Sequence, residues 1–253
     1  MSVTAIILAA GKGTRMKSDL PKVLHEVCGR PMLAYVIDAC RGAGCGRVLV
    51  VIGHGGDPVR RTFAALDSEV VWVEQKRQLG TAHAVTVCGE YLDKLEGAVL
   101  VVAGDGPLIR AETLRQLVRT HQASRAACTL ATCILDDPGR YGRIVRNQQG
   151  DLVGIVEYLD ADEDQRRINE VNVSLYCFDA AALRRVLPRL GNRNAKSEYY
   201  LTDVVGLMRQ EGAELAAVPA VWPQDVLSIN TLEELQKVSL IMAARTTPAG
   251  ARP

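Results

Sequence analysis

The stretch that most constrains this chain is Ala5-Ile6-Ile7-Leu8-Ala9-Ala10-Gly11-Lys12-Gly13-Thr14-Arg15-Met16. An unbroken apolar run of this length reads as a buried strand, of the kind found inside a sheet covered by helices. The run ends in a basic, glycine-containing loop, which is how a strand delivers a phosphate-binding loop at its carboxyl end. Glycines let backbone N–H groups approach phosphate oxygens, and clustered turn amides form an anion-binding concavity. Lys12, Arg15 and Lys22 add three cations within eleven residues. Short glycine loops also follow first strands in α/β proteins that bind nothing there, so the loop alone leaves both readings open. It fits neither of the commoner fingerprints. A dinucleotide loop needs a third glycine where Met16 stands, and the Gly-Lys-Ser/Thr run of a P-loop is absent.

Beyond this loop, strand and helix patterns alternate. Val3 to Leu8 is the first strand, and Pro31 opens a helix to about Arg41 with Met32, Leu33, Val36, Ile37 and Cys40 on one face. Arg47 to Ile52 is a second apolar strand ending in Gly53-His54-Gly55-Gly56, read as a tight turn ahead of phosphate binding. A helix over Pro58 to Leu66, a strand over Val70 to Val73, a strand over Ala98 to Ala103, a helix over Ala111 to Ala123 and a strand over Ala126 to Ile134 follow. The alternation predicts an α/β fold with a Rossmann-like, doubly wound, mostly parallel sheet. After Leu135 the texture changes to short β segments: Tyr141 to Arg146, a hairpin tip at Asn147 to Gly150, Leu152 to Tyr158, and Val171 to Phe178. These predict a small β-rich lobe within about 136–180. Late strands are expected at Leu215 to Val218 and Val226 to Ile229. A final helix over about 230–245 is announced by Thr231 and Glu234 as a capping box. The domain is placed at 1–229, with a disordered tail at 246–253.

Composition sets limits on function. The chain has 253 residues, 48% of them hydrophobic, enough for one large α/β domain. A net charge of +1 argues against a nucleic-acid footprint, and no basic block or roughly 20-residue apolar run points to a membrane. The amino terminus enters a core strand directly, so no signal peptide is read and a cytoplasmic location is expected. Seven cysteines, without a Cys-x-x-Cys pair, read as reduced thiols filling core space.

Two further segments carry polar groups suited to ligands. In Gln75-Lys76-Arg77-Gln78-Leu79-Gly80-Thr81-Ala82-His83, Gly80 breaks the chain, Thr81 is placed to cap a helix, and the Gln75 amide could read a base edge. Taken alone this is an ordinary helix start, and His83 an ordinary packing or hydrogen-bonding histidine. Asp105, in Gly104-Asp105-Gly106-Pro107 at the end of a buried strand, points a carboxylate into a ligand crevice, where it suits Mg²⁺ beside phosphates.

The run Leu8 to Met16 with Pro21-Lys22 resembles the signature of nucleotide-sugar pyrophosphorylases. With Pro21-Lys22-Val23-Leu24-His25, Gln78 to Ala84, Tyr141 to Arg146 and Glu198-Tyr199-Tyr200-Leu201-Thr202-Asp203, the likeness extends to about residue 240. It is to the uridylyltransferase domain of bacterial bifunctional N-acetylglucosamine-1-phosphate uridylyltransferases, which have a GT-A-like nucleotidyltransferase fold. The resemblance implies transfer of UMP from UTP to N-acetylglucosamine-1-phosphate. It implies nucleotide contacts at Leu8, Ala9, Ala10, Gly11, Ala103 and Gly104, and phosphate contacts from Arg15 and Lys22. Uracil contacts would come from Gln75, Gly80 and Thr81, Mg²⁺ ligands from Asp105 and Asn230, and sugar contacts from Gly142, Glu157 and Asn172. Arg15, Lys22 and Asp105 would be the catalytic residues. Two departures stand out: Asn172-Val173-Ser174 where the family usually has Asn-Thr-Gly, and no hexapeptide-repeat acetyltransferase domain in this sequence. A monomer or weak dimer is the expectation that goes with the second. Other nucleotidyltransferases, for glucose-1-phosphate or a molybdopterin cofactor, and a non-catalytic nucleotide-sugar module remain as alternatives.

Overall fold

A computed structural model describes residues 2–53, 56–66 and 69–246. In chain order the first elements are β1 (Val3–Ala9), a two-residue pair β2 (Glu26–Val27) and β3 (Arg30–Pro31), α1 (Met32–Gly42), β4 (Arg47–Gly53), α2 (Asp57–Thr62) and β5 (Val70–Gln75). Next come α3 (Thr81–Thr86), α4 (Gly89–Leu92), β6 (Ala98–Ala103), α5 (Ala111–Ser124) and β7 (Cys128–Ile134). The hairpin β8 (Arg143–Arg146) and β9 (Leu152–Val156) leads through α6 (Glu163–Arg166) to the long β10 (Glu170–Asp179). The chain ends with α7 (Ala180–Val186), α8 (Asp203–Gln210), β11 (Leu215–Val218) and α9 (Leu232–Thr246).

The described residues form a nine-stranded sheet whose main path runs β11-β7-β10-β6-β1-β4-β5, with the β8–β9 hairpin hydrogen-bonded to β10. β1 pairs in parallel with β4 and with β6, β4 with β5, and β7 with β11. The carboxyl ends of β1, β4, β5 and β6 therefore lie along one edge. Period-two alternation explains the uninterrupted apolar strands. Ala5, Ile7 and Ala9 join Val48, Val50, Leu100 and Val102 in a core under α1, α5 and α9. Ile6 joins Leu49, Val51, Val99 and Val101 in a second core under α3, α7 and α8. Both faces are covered, so neither set of positions tolerates charge.

Four details differ from the sequence reading. β10, expected among the lobe's short β segments, runs antiparallel between β6 and β7 in the main sheet, so strand-helix alternation does not give the neighbour order. Residues 226–229 form no strand: a 3-10 turn at Pro223–Asp225 precedes them, and Ile229 N–H donates to the Asp105 carbonyl instead of to a ladder. The helix expected over Pro58 to Leu66 breaks at Phe63 into α2 and a 3-10 turn. Thr81 does not cap α3. It is the first helical residue, Gly80 holds the cap position, and the Thr81 hydroxyl accepts from Leu201 N–H at 2.9 Å. Two expectations, the His54-Gly55 part of the glycine turn and the 247–253 part of the tail, lie outside the described residues.

Candidate functional site

The glycine loop leaves β1 at the centre of the sheet. Gly13 sits in the left-handed region at φ 62°, and its missing side chain leaves room for Lys22, whose Cβ lies 2.7 Å from where a Cβ on residue 13 would be. Met16 is buried and anchors the loop, leaving Arg15 exposed beside it. Lys22 opens a 3-10 turn whose Val23 and Leu24 are buried, which carries its stem back under the loop.

Asp105 follows β6, one strand away, and Asn230 lies just ahead of α9. The chain brings all three together. Lys22 Nζ donates to Asp105 Oδ2 at 2.5 Å and to Asn230 Oδ1 at 2.7 Å, and Arg15 donates to the same Asn230 oxygen at 2.9 Å. The Lys22 side chain is only 11% exposed and Asp105 23%, so the pair is screened less than a surface pair. Asn230 is set by α9: its own N–H and that of Thr231 both donate to Glu234, while Thr231 accepts from Glu234 N–H. Tyr141 stands nearby, donating to the Val226 carbonyl. Burial, then Glu234 and Asp105, pushes its phenol above its ordinary value.

Leu8, Ala9, Ala10 and Gly11 continue the β1 backbone to the same edge, where Gly104 N–H donates to the Leu8 carbonyl and Leu8 pairs with Ala103. Gln75 ends β5 on that edge and is 3% exposed. The Gly80 loop is clamped from outside: Tyr199 N–H donates to Leu79, and Ala82 N–H to Tyr199. At φ 116°, with Tyr199 backbone atoms 2.5 and 2.7 Å from a would-be Cβ, only glycine fits at residue 80.

The third group gathers on β8–β10. Asn172 N–H donates to the Gly142 carbonyl, and the Asn172 amide donates to the Tyr176 hydroxyl and accepts from Ser174 N–H. The β10 register shifts between Asn172 and Tyr176, and Ser174 takes φ 56°. A left-handed conformation costs serine more than it would cost glycine. Glu157 accepts from the Thr202 hydroxyl at 3.1 Å, and burial pushes its carboxyl above the usual range. Arg143 lies in the Tyr141 to Arg146 run, which gave it no role of its own. Its buried guanidinium donates to the carbonyls of Pro138, Gly139, Tyr141 and Arg166, tying the turn that presents Gly142. His83, read as a packing or hydrogen-bonding histidine, does bond to Gln75, while Thr202 had no role in its run because only tertiary contact brings it Glu157.

The family described as MobA-like NTP transferase domain matches residues 5–172, more than half of the chain. The chain belongs to this family. Of the residues nominated from the sequence, all except Asn230 fall inside the matched span. A relative called "Bifunctional protein GlmU", from Alkaliphilus oremlandii, is 45% identical over 245 residues, covering 97% of this chain and 53% of that protein. A protein of the same name from Trichlorobacter lovleyi is 46% identical over 241 residues, covering 95% and 52%. This NTP transferase chain thus spans about half the length of the curated relatives it matches. A crystal structure of UDP-glucose pyrophosphorylase complexed with UDP-glucose superposes with a TM-score of 0.77. It covers 97% of this chain and 100% of that one at 19% identity, and shows the fold alone.

Proposed function

We propose that this chain transfers UMP from UTP to N-acetylglucosamine-1-phosphate, releasing pyrophosphate, with Mg²⁺ as cofactor. The observation that carries the reading is the convergence of Arg15, Lys22, Asp105 and Asn230 at the carboxyl ends of β1 and β6, on the sheet edge that also holds Gln75. The relatives' name and the sequence resemblance favour this reaction over other members of the family.

The metal-binding pair passes a chemical test. Asp105 and Asn230 come from separate segments, yet their oxygens aim at one cationic point, held here by the Lys22 ammonium. Two hard oxygens suit Mg²⁺, which fills its remaining positions with water and phosphate oxygens. Mg²⁺ bound there would neutralise charge on the reacting phosphates. The protein's own part is positioning and charge. Backbone amides of the Gly11–Gly13 loop face the nucleotide phosphates, Lys22 serves the attacking phosphate and the α-phosphate, and Arg15 serves the departing pyrophosphate. The sugar-phosphate nucleophile is already ionised at neutral pH, so the in-line attack on the α-phosphorus needs no protein base. Gln75, Gly80 and Thr81 hold the uracil, and Gly142, Glu157 and Asn172 the sugar. The setting would be the cytoplasm, with the product supplied to cell-wall assembly. Among the described residues no helix is long and apolar enough to cross a membrane.

The test is pyrophosphate release across a panel of nucleoside triphosphates and sugar-1-phosphates, with and without Mg²⁺. UTP with N-acetylglucosamine-1-phosphate is the expected best pair, and Asp105→Ala is expected to abolish turnover with the fold intact. Normal turnover by that variant overturns the metal assignment. One observation keeps glucose-1-phosphate as second reading: Val173 and Ser174 replace the family's usual Thr-Gly at the β10 bulge next to Asn172. A preference for that sugar would place the cause there.

A further inference from the structure

We propose that His83 is a positioning residue for base recognition: it helps lock the Gln75 amide with the oxygen free, so that the site asks for an N–H donor on the base. This rests on the reading above, in which a uridine nucleotide lies against Gln75 and Gly80.

The argument starts from what each partner can do. A carbonyl only accepts, so the Gln75 atom 3.1 Å from the Gly80 carbonyl is the NH₂ nitrogen, whichever way an amide could be drawn. The Gly80 carbonyl is itself fixed, since residue 80 is pinned at φ 116° against the Tyr199 backbone. The amide's remaining hydrogen points to His83 Nδ1 at 2.9 Å. For that bond Nδ1 carries no proton, so the ring is neutral with its hydrogen on Nε2. Burial, and then the charge of Arg77 on the preceding loop, holds His83 below its ordinary value, which keeps it neutral at pH 7. Glu198, on the segment packed against Gly80, also stands at this corner, its Cβ 3.0 Å from where a Cβ on residue 80 would be. With both amide hydrogens taken, Gln75 Oε1 remains, and no donor among the described residues reaches it. Gln75 is 3% exposed as a whole residue, yet Oε1 is not one of the fully enclosed atoms that lack a partner, so it lies open for a ligand to reach.

Uracil carries an N–H at ring nitrogen 3, where cytosine carries a lone pair. A locked Oε1 accepts from the first and opposes the second. Turning the amide over would set its oxygen against the Gly80 carbonyl. Protonation of His83 works the other way: Nδ1–H then faces the Gln75 NH₂, one of the two holding bonds is lost, and the orientation loosens.

The experiment compares kcat/KM for UTP and CTP with the same sugar phosphate from pH 5 to 9. Their ratio cancels triphosphate ionisation and any general loss at the catalytic centre. In the wild type the ratio is expected to be flat at high pH and to fall as pH drops through the His83 pKa. His83→Ala is expected to lower the ratio roughly 10-fold, as for loss of one holding hydrogen bond, and to flatten it with pH. His83→Asn, whose amide oxygen can stand near the Nδ1 position and does not protonate, is expected to restore the ratio and remain flat. Equal losses for both nucleotides in His83→Ala, with the ratio unchanged, would reduce His83 to a packing residue. If that variant does not fold, the His83→Asn profile and the wild-type pH dependence decide. A wild type indifferent to UTP and CTP overturns the base reading and this proposal together. A UTP preference that ignores every His83 variant overturns only the lock.

Discussion

Lys22 is the residue on which the candidate site turns, because its ammonium sits between the two oxygens nominated for a metal. Removing one well-placed charge-stabilising donor typically costs roughly 10²–10³-fold in kcat. Lys22→Ala is expected to lose that much while its UTP affinity, measured by calorimetry, falls far less. Equal losses would make Lys22 a plain nucleotide anchor. Glu157 gives a second prediction through its raised pKa. A carboxyl that binds its proton more tightly in the folded state contributes stability below its ordinary value, and that stability is lost as pH rises through the folded value. Glu157→Gln is therefore expected to melt higher than wild type at pH 7, the gap closing as the pH falls below the ordinary carboxylate range. A gap that stays constant with pH would mean the carboxyl is not strained by burial. Lys22 could be singled out from the basic glycine loop, and Glu157 only through the family resemblance. The partners that decide their behaviour, Asn230 and Thr202, lie 208 and 45 residues away, and nothing local pairs them with Lys22 and Glu157.

At the level of elements, the start of α9 does more than end a loop. Glu234 accepts from the N–H groups of both Asn230 and Thr231, so a capping box also fixes a nominated metal ligand. Glu234→Ala is expected to cost about 1 kcal/mol as a lost cap, roughly 2–4 °C in Tm for a domain of this size. It is also expected to raise the Mg²⁺ concentration needed for half-maximal pyrophosphate release. Thr231→Ala provides the comparison: a similar loss of Tm with the Mg²⁺ requirement unmoved, because Asn230 keeps its bond to Glu234. The same Mg²⁺ response in both variants would assign the effect to the cap as a whole rather than to the bond between Glu234 and Asn230. The capping box was readable from Thr231 and Glu234 alone, since it is a local pattern. The neighbouring stretch 226–229 was not, because its apolar residues suit a strand, whereas Ile229 N–H is taken by the Asp105 carbonyl.

On the scale of the whole molecule, two cores sandwich one sheet, and the strands that end at the candidate site are buried on both faces. Every nominated residue belongs to this one sheet or to segments packed on it. The 253-residue chain by itself is accordingly expected to release pyrophosphate and to sediment as a monomer or weak dimer. Analytical ultracentrifugation checks the second point, and a stable trimer would show that this layer assembles unaided.

What the sequence determined by itself is whatever depends on near neighbours along the chain: buried strands from unbroken apolar runs, α1 and α5 from their apolar faces, and the basic glycine loop after β1. A strand buried on two faces needs helices on both sides, so the α/β class followed from the same residues. Tertiary structure decided the rest. β10 lies antiparallel between β6 and β7, a neighbour order that no local pattern along the chain specifies. Thr81 receives the Leu201 N–H rather than capping its helix, a contact with a segment 120 residues later while Gly80 holds the cap position. His83 faces Gln75 because a turn of helix and a strand end meet at Gly80, whose unusual φ is held by Tyr199. Contacts between residues far apart in sequence carry no periodic or local signal, and the candidate site is built almost wholly of such contacts.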